Sequence, residues 1–270
     1  MIREAIAEAV EGRELPGAVV EAAFREMTEG SATDAQIAGF LMAMRCKRET
    51  VSELVAAARV MRERCSKVPV RRGRRCSRLV DTCGTGGDMT RSFNFSTLAA
   101  LVVAGAGVPV AKHGNRAVSS GCGSADLMEA LGVRLTMTPE EIGGCIEDIG
   151  IGFLYAPALH GSMRHVSGPR RELGQRTMFN LLGPLCNPAG ADAQLLGVCS
   201  GDLTETLAEA LSGLGCRGAL VVHGEGGYDE MTVTGRTRVS KLDRGSVRSF
   251  WMTPGDFGLG RSHPQDLLGG

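Results

Sequence analysis

Apolar residues recur at helical spacing in the first third of the chain, and two such runs open on the same local device. Thr33-Asp34-Ala35-Gln36 precedes Ile37, Phe40, Leu41 and Met44; Thr50-Val51-Ser52-Glu53 precedes Leu54, Val55, Ala58 and Met61. A hydroxyl followed three positions later by Gln or Glu is a capping box, in which side chain and backbone satisfy one another's end groups. The pattern predicts capped amphipathic helices whose apolar faces are packing surfaces, within the chain or against a copy of it.

From Arg71 the pattern changes. Leu79-Val80-Asp81 is a short strand ending in glycines, and Val108-Pro109-Val110-Ala111, Ile151 to Tyr155 and Ala219 to Val222 are further strands. Between them lie a small-residue helix from Ser96 to Gly105, a helix from Ser124 to Leu131 with Ser124 available as its cap, and one opened by Thr138-Pro139-Glu140-Glu141. Short apolar strands alternating with helices predict an α/β fold, a mostly parallel sheet covered by helices. In such sheets ligands sit beyond the carboxyl ends of the strands. Gly183-Pro184-Leu185-Cys186-Asn187-Pro188 is read as a crossing between layers.

Composition narrows the function. The chain has 270 residues, room for one large domain or two unequal ones. Its 30 basic residues balance its 30 acidic ones, which argues against nucleic acid as a partner, because polyanion binding rests on a positive excess. No stretch approaches the roughly 20 apolar residues of a membrane span, and the start lacks a signal-peptide core. Nine cysteines in no Cys-x-x-Cys spacing fit reduced thiols in a cytoplasmic protein. Cys83 and Cys122 are read as small-volume fillers, and Arg71-Arg72-Gly73-Arg74-Arg75 as a solvated linker.

Two loops carry the chemistry. Gly84-Thr85-Gly86-Gly87-Asp88 follows a strand, and its glycines allow positive φ and expose amides to an anion. It lacks the Gly-Lys-Ser/Thr of a nucleotide P-loop and the spacing of a dinucleotide fingerprint, so a bare strand-to-helix turn is the alternative. Asn94-Phe95-Ser96-Thr97 then opens a helix; Asn94 or Ser96 caps it, or its N-terminus and the Ser96 and Thr97 hydroxyls hold a phosphate. Lys112 is one of four lysines among the 30 basic residues, a compact point charge retained where Arg is the rule. His113 and Asn115 flank Gly114 and are expected to face the same cleft, with hydroxyls from Ser119, Ser120 and Ser124. Asp229 and Glu230 follow the strand Ala219 to Val222; beside a phosphate they are candidate ligands of Mg²⁺, whose habit is to share carboxylate and phosphate oxygens.

In this order these motifs, with Gly123 to Gly132, Thr177 to Pro188 and Val222-His223-Gly224, resemble the anthranilate phosphoribosyltransferase family. The resemblance implies a small helical domain, residues 1–70 with helices from about 160–190, and a larger α/β domain, residues 76–160 and 190–270. It implies a homodimer that transfers the phosphoribosyl group of 5-phosphoribosyl 1-pyrophosphate to the amine of anthranilate. Gly84, Gly87, Asp88, Ser92, Asn94, Phe95, Ser96, Thr97, Lys112, Ser120 and Ser124 would hold the donor. Ser96, Asp229 and Glu230 would serve Mg²⁺. Gly84, Asn115 and Arg170 would hold anthranilate, a guanidinium fork suiting a planar carboxylate. Lys112, His113 and Asn115 are the expected catalytic positions. The chain departs from the family at Gly121, Gly161 and Gly168-Pro169, and the family continues past Leu267-Leu268-Gly269-Gly270. A pyrimidine nucleoside phosphorylase and a non-catalytic binding homologue are the competing readings.

Overall fold

The computed structural model describes residues 1–73, 76–87, 90, 92–117 and 121–269. The chain opens with four helices: α1 (Ile2–Val10), α2 (Gly17–Glu29), α3 (Asp34–Lys47) and α4 (Val51–Arg64). Both expected capping boxes form. Gln36 N donates to Thr33 Oγ1 at 3.3 Å while Thr33 N donates to Gln36 Oε1 at 2.9 Å. Glu53 N donates to Thr50 Oγ1 at 3.4 Å while Thr50 N donates to Glu53 Oε2 at 2.8 Å.

Glu53 does more than cap. Its side chain is fully buried, accepts from Leu15 N at 2.8 Å and pairs with the buried Lys47 ammonium at 2.6 Å. One carboxylate thus fixes the entry to α2, the end of α3 and the start of α4. Around it Phe24, Met27, Phe40, Leu41, Met44 and Leu54 are fully buried.

Among the described residues the rest of the chain is built on one seven-stranded sheet in the order β3-β2-β1-β4-β5-β6-β7. Strands β1 (Val80–Gly84), β2 (Val110–Gly114), β3 (Ile151–Tyr155), β4 (Ala193–Gly197) and β5 (Gly218–Gly224) are parallel; β6 (Thr237–Asp243) and β7 (Ser246–Met252) continue it antiparallel. Helix α5 (Phe95–Gly105) packs on β1 and β2, α7 (Pro139–Ile149) on β3, and α11 (Leu203–Gly213) on β5 to β7; α6 (Ser124–Ala130) lies between β2 and β3 in sequence. After β3 come the short α8 (Ala156–Leu159), then α9 (Arg164–Leu173), which packs on α2 and α3, and α10 (Phe179–Leu185), which packs on α4. A single apolar cluster runs from Phe24 and Leu41 through Phe179 and Leu182 to Leu211 and Val221, so the helices and the sheet share a core. Arg62 stitches the joint: its guanidinium donates to the carbonyls of Leu185 at 2.7 Å and Leu214 at 3.0 Å.

Several local expectations change. Gly183 and Pro184 lie inside α10 rather than in a bare crossing. Gly123, not Ser124, occupies the cap position of α6, and Asp126 accepts its N–H at 2.9 Å. The arginine run is solvent-facing but anchored. Arg71 pairs with Glu147 at 2.8 Å, and Arg72 pairs with Asp192; Arg74 and Arg75 lie outside the described residues. No helix among the described residues is long and apolar enough to cross a membrane.

Glu53→Ala should destabilise the protein by about 3–5 kcal/mol, because it strands the buried Lys47 ammonium. Thr50→Ala should cost only about 1 kcal/mol, the scale of a lost cap. Urea denaturation of both variants tests the ranking, and equal losses would show that the buried pair contributes nothing beyond the cap.

Candidate active site

The carboxyl ends of β1 and β2 set the site. In this register Thr82 lies opposite Lys112, and successive strand residues face opposite sides of the sheet. Lys112 faces α5. Its side chain is buried, and the ammonium donates to the Thr82 carbonyl at 2.6 Å and to Ser96 Oγ at 3.4 Å. Thr82 Oγ1 in turn donates to the Ser96 carbonyl at 2.6 Å, fixing the first turn of α5 over the strand end. Burial lowers the Lys112 pKa, while Asp81, the Cys83 thiol and Glu230 oppose that shift.

The opposite face carries a second buried network. Asp81 is inaccessible; its carboxylate accepts His113 N at 3.1 Å and Asn187 Nδ2 at 2.8 Å. The same Asn187 amide donates to the Ala111 carbonyl at 2.8 Å, tying the segment after α10 across β1 and β2. Burial raises the Asp81 pKa, against the pull of Lys112 and the Asn187 hydrogen bond. His113 belongs to this face: its Nε2 meets His160 Nε2 at 3.2 Å. The strand continues through Gly114, so Lys112 and His113 diverge instead of sharing a cleft. Burial, reinforced by His160, pushes the His113 pKa down to about 3; burial, reinforced by Lys67, pushes that of His160 down to about 4. Both imidazoles are therefore neutral at pH 7. Cys83 is buried on the same side, its thiol pKa well above the ordinary value, and Gln194 Nε2 donates to its sulfur at 2.9 Å. It fills space and is not a poised nucleophile.

Beyond β1 the glycine loop is held from two sides. Thr85 N donates to the Gly197 carbonyl at 2.9 Å and Gly86 N to Asp229 Oδ2 at 3.1 Å. The loop after β5 reaches this point because β4 ends in Gly197; any Cβ there would overlap the Asp229 carbonyl. From the other side Arg176 donates to the carbonyls of Gly86 at 2.8 Å and Thr85 at 3.4 Å. Two of the expected anion-binding amides are thus paired within the protein, and Gly87 N has no partner among the described residues.

The remaining expected residues fall around this centre. Asn94 precedes α5 without capping it, its amide donating to Cys122 Sγ at 3.5 Å, and the Phe93 and Phe95 rings meet edge-on. Ser92 accepts from Thr90 Oγ1 at 3.2 Å and bridges to Leu268. Thr97 Oγ1 is buried with no partner among the described residues. Asn115 is exposed; its carbonyl accepts Ser124 Oγ at 3.2 Å. Asp126 clamps the following loop through Ala117 N at 3.0 Å and Arg116 at 2.9 Å. Arg170, on α9, is partly buried over the Phe179 ring at 4.9 Å, and has no hydrogen-bond or ion-pair partner among the described residues. Asp88, Ser119 and Ser120 lie outside the described residues.

Asp81, Asn187, Gly197 and Arg176 were not expected here. Each acts across a long sequence separation; Asp81 adjoins the Gly84 segment and Asn187 lies in the Gly183 segment, whereas nothing local marks Gly197 or Arg176.

A divalent cation fits the donor set. Asp229 is buried at the strand ends, and Glu230 is near enough to act on the Lys112 charge. Both offer hard carboxylate oxygens, and Ser96 Oγ lies beside the same ammonium. Among the described residues no group of three or more His, Cys, Asp or Glu forms a cage. Mg²⁺ completes its shell with water and phosphate oxygens, so one or two carboxylates are enough protein ligands.

Residues 3–65 match the helical bundle domain of a glycosyl transferase family, and residues 76–270 match its a/b domain. The chain is 56% identical over 260 residues to the anthranilate phosphoribosyltransferase of Symbiobacterium thermophilum, covering 96% of this chain and 75% of that protein. It is 52% identical over 282 aligned positions to that of Geobacter sp. strain M21, covering all of this chain and 80% of that protein. The crystal structure of the Thermus thermophilus enzyme superposes with a TM-score of 0.91 at 48% identity, over 98% of this chain and 78% of that one. The Saccharomyces cerevisiae enzyme in complex with PRPP and Mg superposes with a TM-score of 0.87 at 27% identity, over 99% and 77%.

The neutral imidazole pair makes stability acid-sensitive. Between the unfolded value near 6.5 and the folded values of about 3 and 4, the unfolded chain binds more protons than the folded one, so stability falls as pH falls. Thermal midpoints should decline from about pH 6.5 to about pH 5, and the variant His113→Gln/His160→Gln should show a shallower decline. An unchanged slope in the variant would contradict a buried neutral pair.

Proposed function

The chain belongs to the anthranilate phosphoribosyltransferase family, and we propose that it transfers the 5-phosphoribosyl group of 5-phosphoribosyl 1-pyrophosphate to the amine of anthranilate. The observation that carries this reading is the convergence of the Lys112 ammonium, the glycine loop and the Asp229-Glu230 carboxylates at the ends of β1, β2 and β5. That combination suits a polyanionic, metal-chelating donor. Its products are N-(5-phosphoribosyl)anthranilate and pyrophosphate, a step of tryptophan biosynthesis.

The amine nitrogen attacks C1 of the ribose, the C1–O bond to pyrophosphate breaks, and the bonding pair leaves with the pyrophosphate. The nitrogen then gives up its proton to water. An aniline-type amine is unprotonated at neutral pH, so no strong base is required, and His113 is assigned support of β2 rather than proton transfer. Lys112 supplies fixed positive charge beneath the departing oxygens, where a buried cation costs no reorganisation during reaction. Gly84, Gly87, Asp88, Ser92, Asn94, Phe95, Ser96, Thr97, Ser120 and Ser124 are proposed to line the donor site. Asp229, Glu230 and Ser96 would hold Mg²⁺, which when bound neutralises pyrophosphate charge. Arg170 and Asn115 are proposed to orient anthranilate with Gly84 at the floor; the partly buried guanidinium, unpaired among the described residues, supports a carboxylate partner there.

The same family reading assigns a homodimer and a cytoplasmic location, which sedimentation and cell fractionation test. It also assigns two domains, 1–70 with about 160–190, and 76–160 with 190–270; the packing of α9 and α10 on the first four helices supports that division.

Purified protein should consume anthranilate only when the pyrophosphate donor and Mg²⁺ are both present. Phosphorolysis of a pyrimidine nucleoside with free phosphate, or donor binding without turnover, would overturn the assignment. Lys112→Ala and Asp229→Ala should each lower kcat by about 10²–10³, the scale for deleting one electrostatic stabiliser. Full activity in the combined Asp229→Ala/Glu230→Ala variant would remove the metal assignment.

A further inference from the structure

We propose that Arg176 is a positioning residue that sets the glycine loop for the pyrophosphate donor, and that Arg45 ties it to the helical bundle. The inference rests on the donor reading above. Arg176 follows α9, outside every motif that marks the site. Its guanidinium nevertheless spans to the loop after β1 and donates to two consecutive carbonyls, Gly86 at 2.8 Å and Thr85 at 3.4 Å.

The loop cannot hold this shape unaided. Gly86 and Gly87 have φ of +61° and +80°, and three glycines within four residues leave the segment many alternatives. With both carbonyls drawn toward Arg176, the peptide planes are oriented, and the Gly87 N–H remains unpaired among the described residues. Gly87 also leaves room for the guanidinium, since a Cβ there would overlap Arg176 Nη1. A planar fork with parallel donors suits adjacent carbonyls, and an ammonium reaches one at a time.

The connection continues. Arg45, near the end of α3, donates through Nη1 to the Arg176 carbonyl at 2.5 Å. A single chain of contacts therefore runs from α3 through Arg176 to the loop. Movement of the helical bundle relative to the sheet would pass directly into the donor loop. Arg176 is thus the mechanical link between the two parts of the chain at the point where the donor would bind.

The test combines donor titration calorimetry in Mg²⁺, steady-state kinetics, and hydrogen exchange of residues 84–87 in the free protein. Arg176→Gln should weaken donor affinity and raise the donor KM by roughly ten- to hundredfold, the scale for losing one or two charge-assisted hydrogen bonds. Its kcat and the KM for anthranilate should change by no more than about threefold, less than one such bond. Loop exchange should quicken while the thermal midpoint moves by no more than about 3 °C. Arg176→Lys should recover part of the affinity, and Arg45→Met should shift affinity and exchange in the same direction by less. Unchanged loop exchange in Arg176→Gln, a fall in kcat without a change in donor KM, or an Arg45→Met protein identical to wild type would each overturn the inference. Absence of donor binding by the wild-type protein would instead defeat the functional reading, and the exchange measurement would still decide whether Arg176 orders the loop.

Discussion

A single ammonium group, that of Lys112, sits buried where β1, β2 and the start of α5 meet, and burial lowers its pKa against the groups packed around it. Burial alone favours the neutral amine. Opposing that are the Thr82 carbonyl, the Ser96 hydroxyl and the negative charges of Asp81 and Glu230. Asp81 is itself held in place by Asn187 and by the His113 amide. The charge at the strand ends is thus supported from both faces of the sheet. The proposed donor would bring its phosphate oxygens to this charge.

The site is also where separate parts of the chain meet. Gly197 lets the Asp229 loop close on β4, and Asp229 and Arg176 hold the glycine loop from either side. Below this the apolar core is continuous from the helical bundle into the sheet, with Glu53 and Arg62 fixing the helices on one side of the joint. The bundle is therefore part of what shapes the strand ends.

What was legible in the sequence was local. The capping boxes at Thr33 and Thr50, the glycine punctuation after Asp81 and the short apolar runs of β1, β3 and β5 all depend on neighbours within a few residues. Strand β4, Ala-Gln-Leu-Leu-Gly, was missed because Gln194 interrupts an already short apolar run; its amide is paired inside with Cys83 and the Pro184 carbonyl. Strands β6 and β7 carry Arg238, Lys241 and Arg248 on a half-exposed sheet end, which hides their alternation. The site motifs are recognisable as a group, but not their facing: β2 runs on to Gly114, so Lys112 and His113 point to opposite sides. The Asp81–Asn187 and Arg176–Gly86 contacts join residues 106 and 90 positions apart. No local pattern encodes such pairs, and only the fold brings them together.

Whether the strand ends around Lys112 form the donor site is decided by hydrogen exchange of the wild-type protein with and without 5-phosphoribosyl 1-pyrophosphate and Mg²⁺. Exchange should slow in peptides spanning residues 84–87, 95–98 and 112–115 and stay unchanged in α1 and α2. Protection confined to other segments, or none at donor concentrations that saturate turnover, would contradict it.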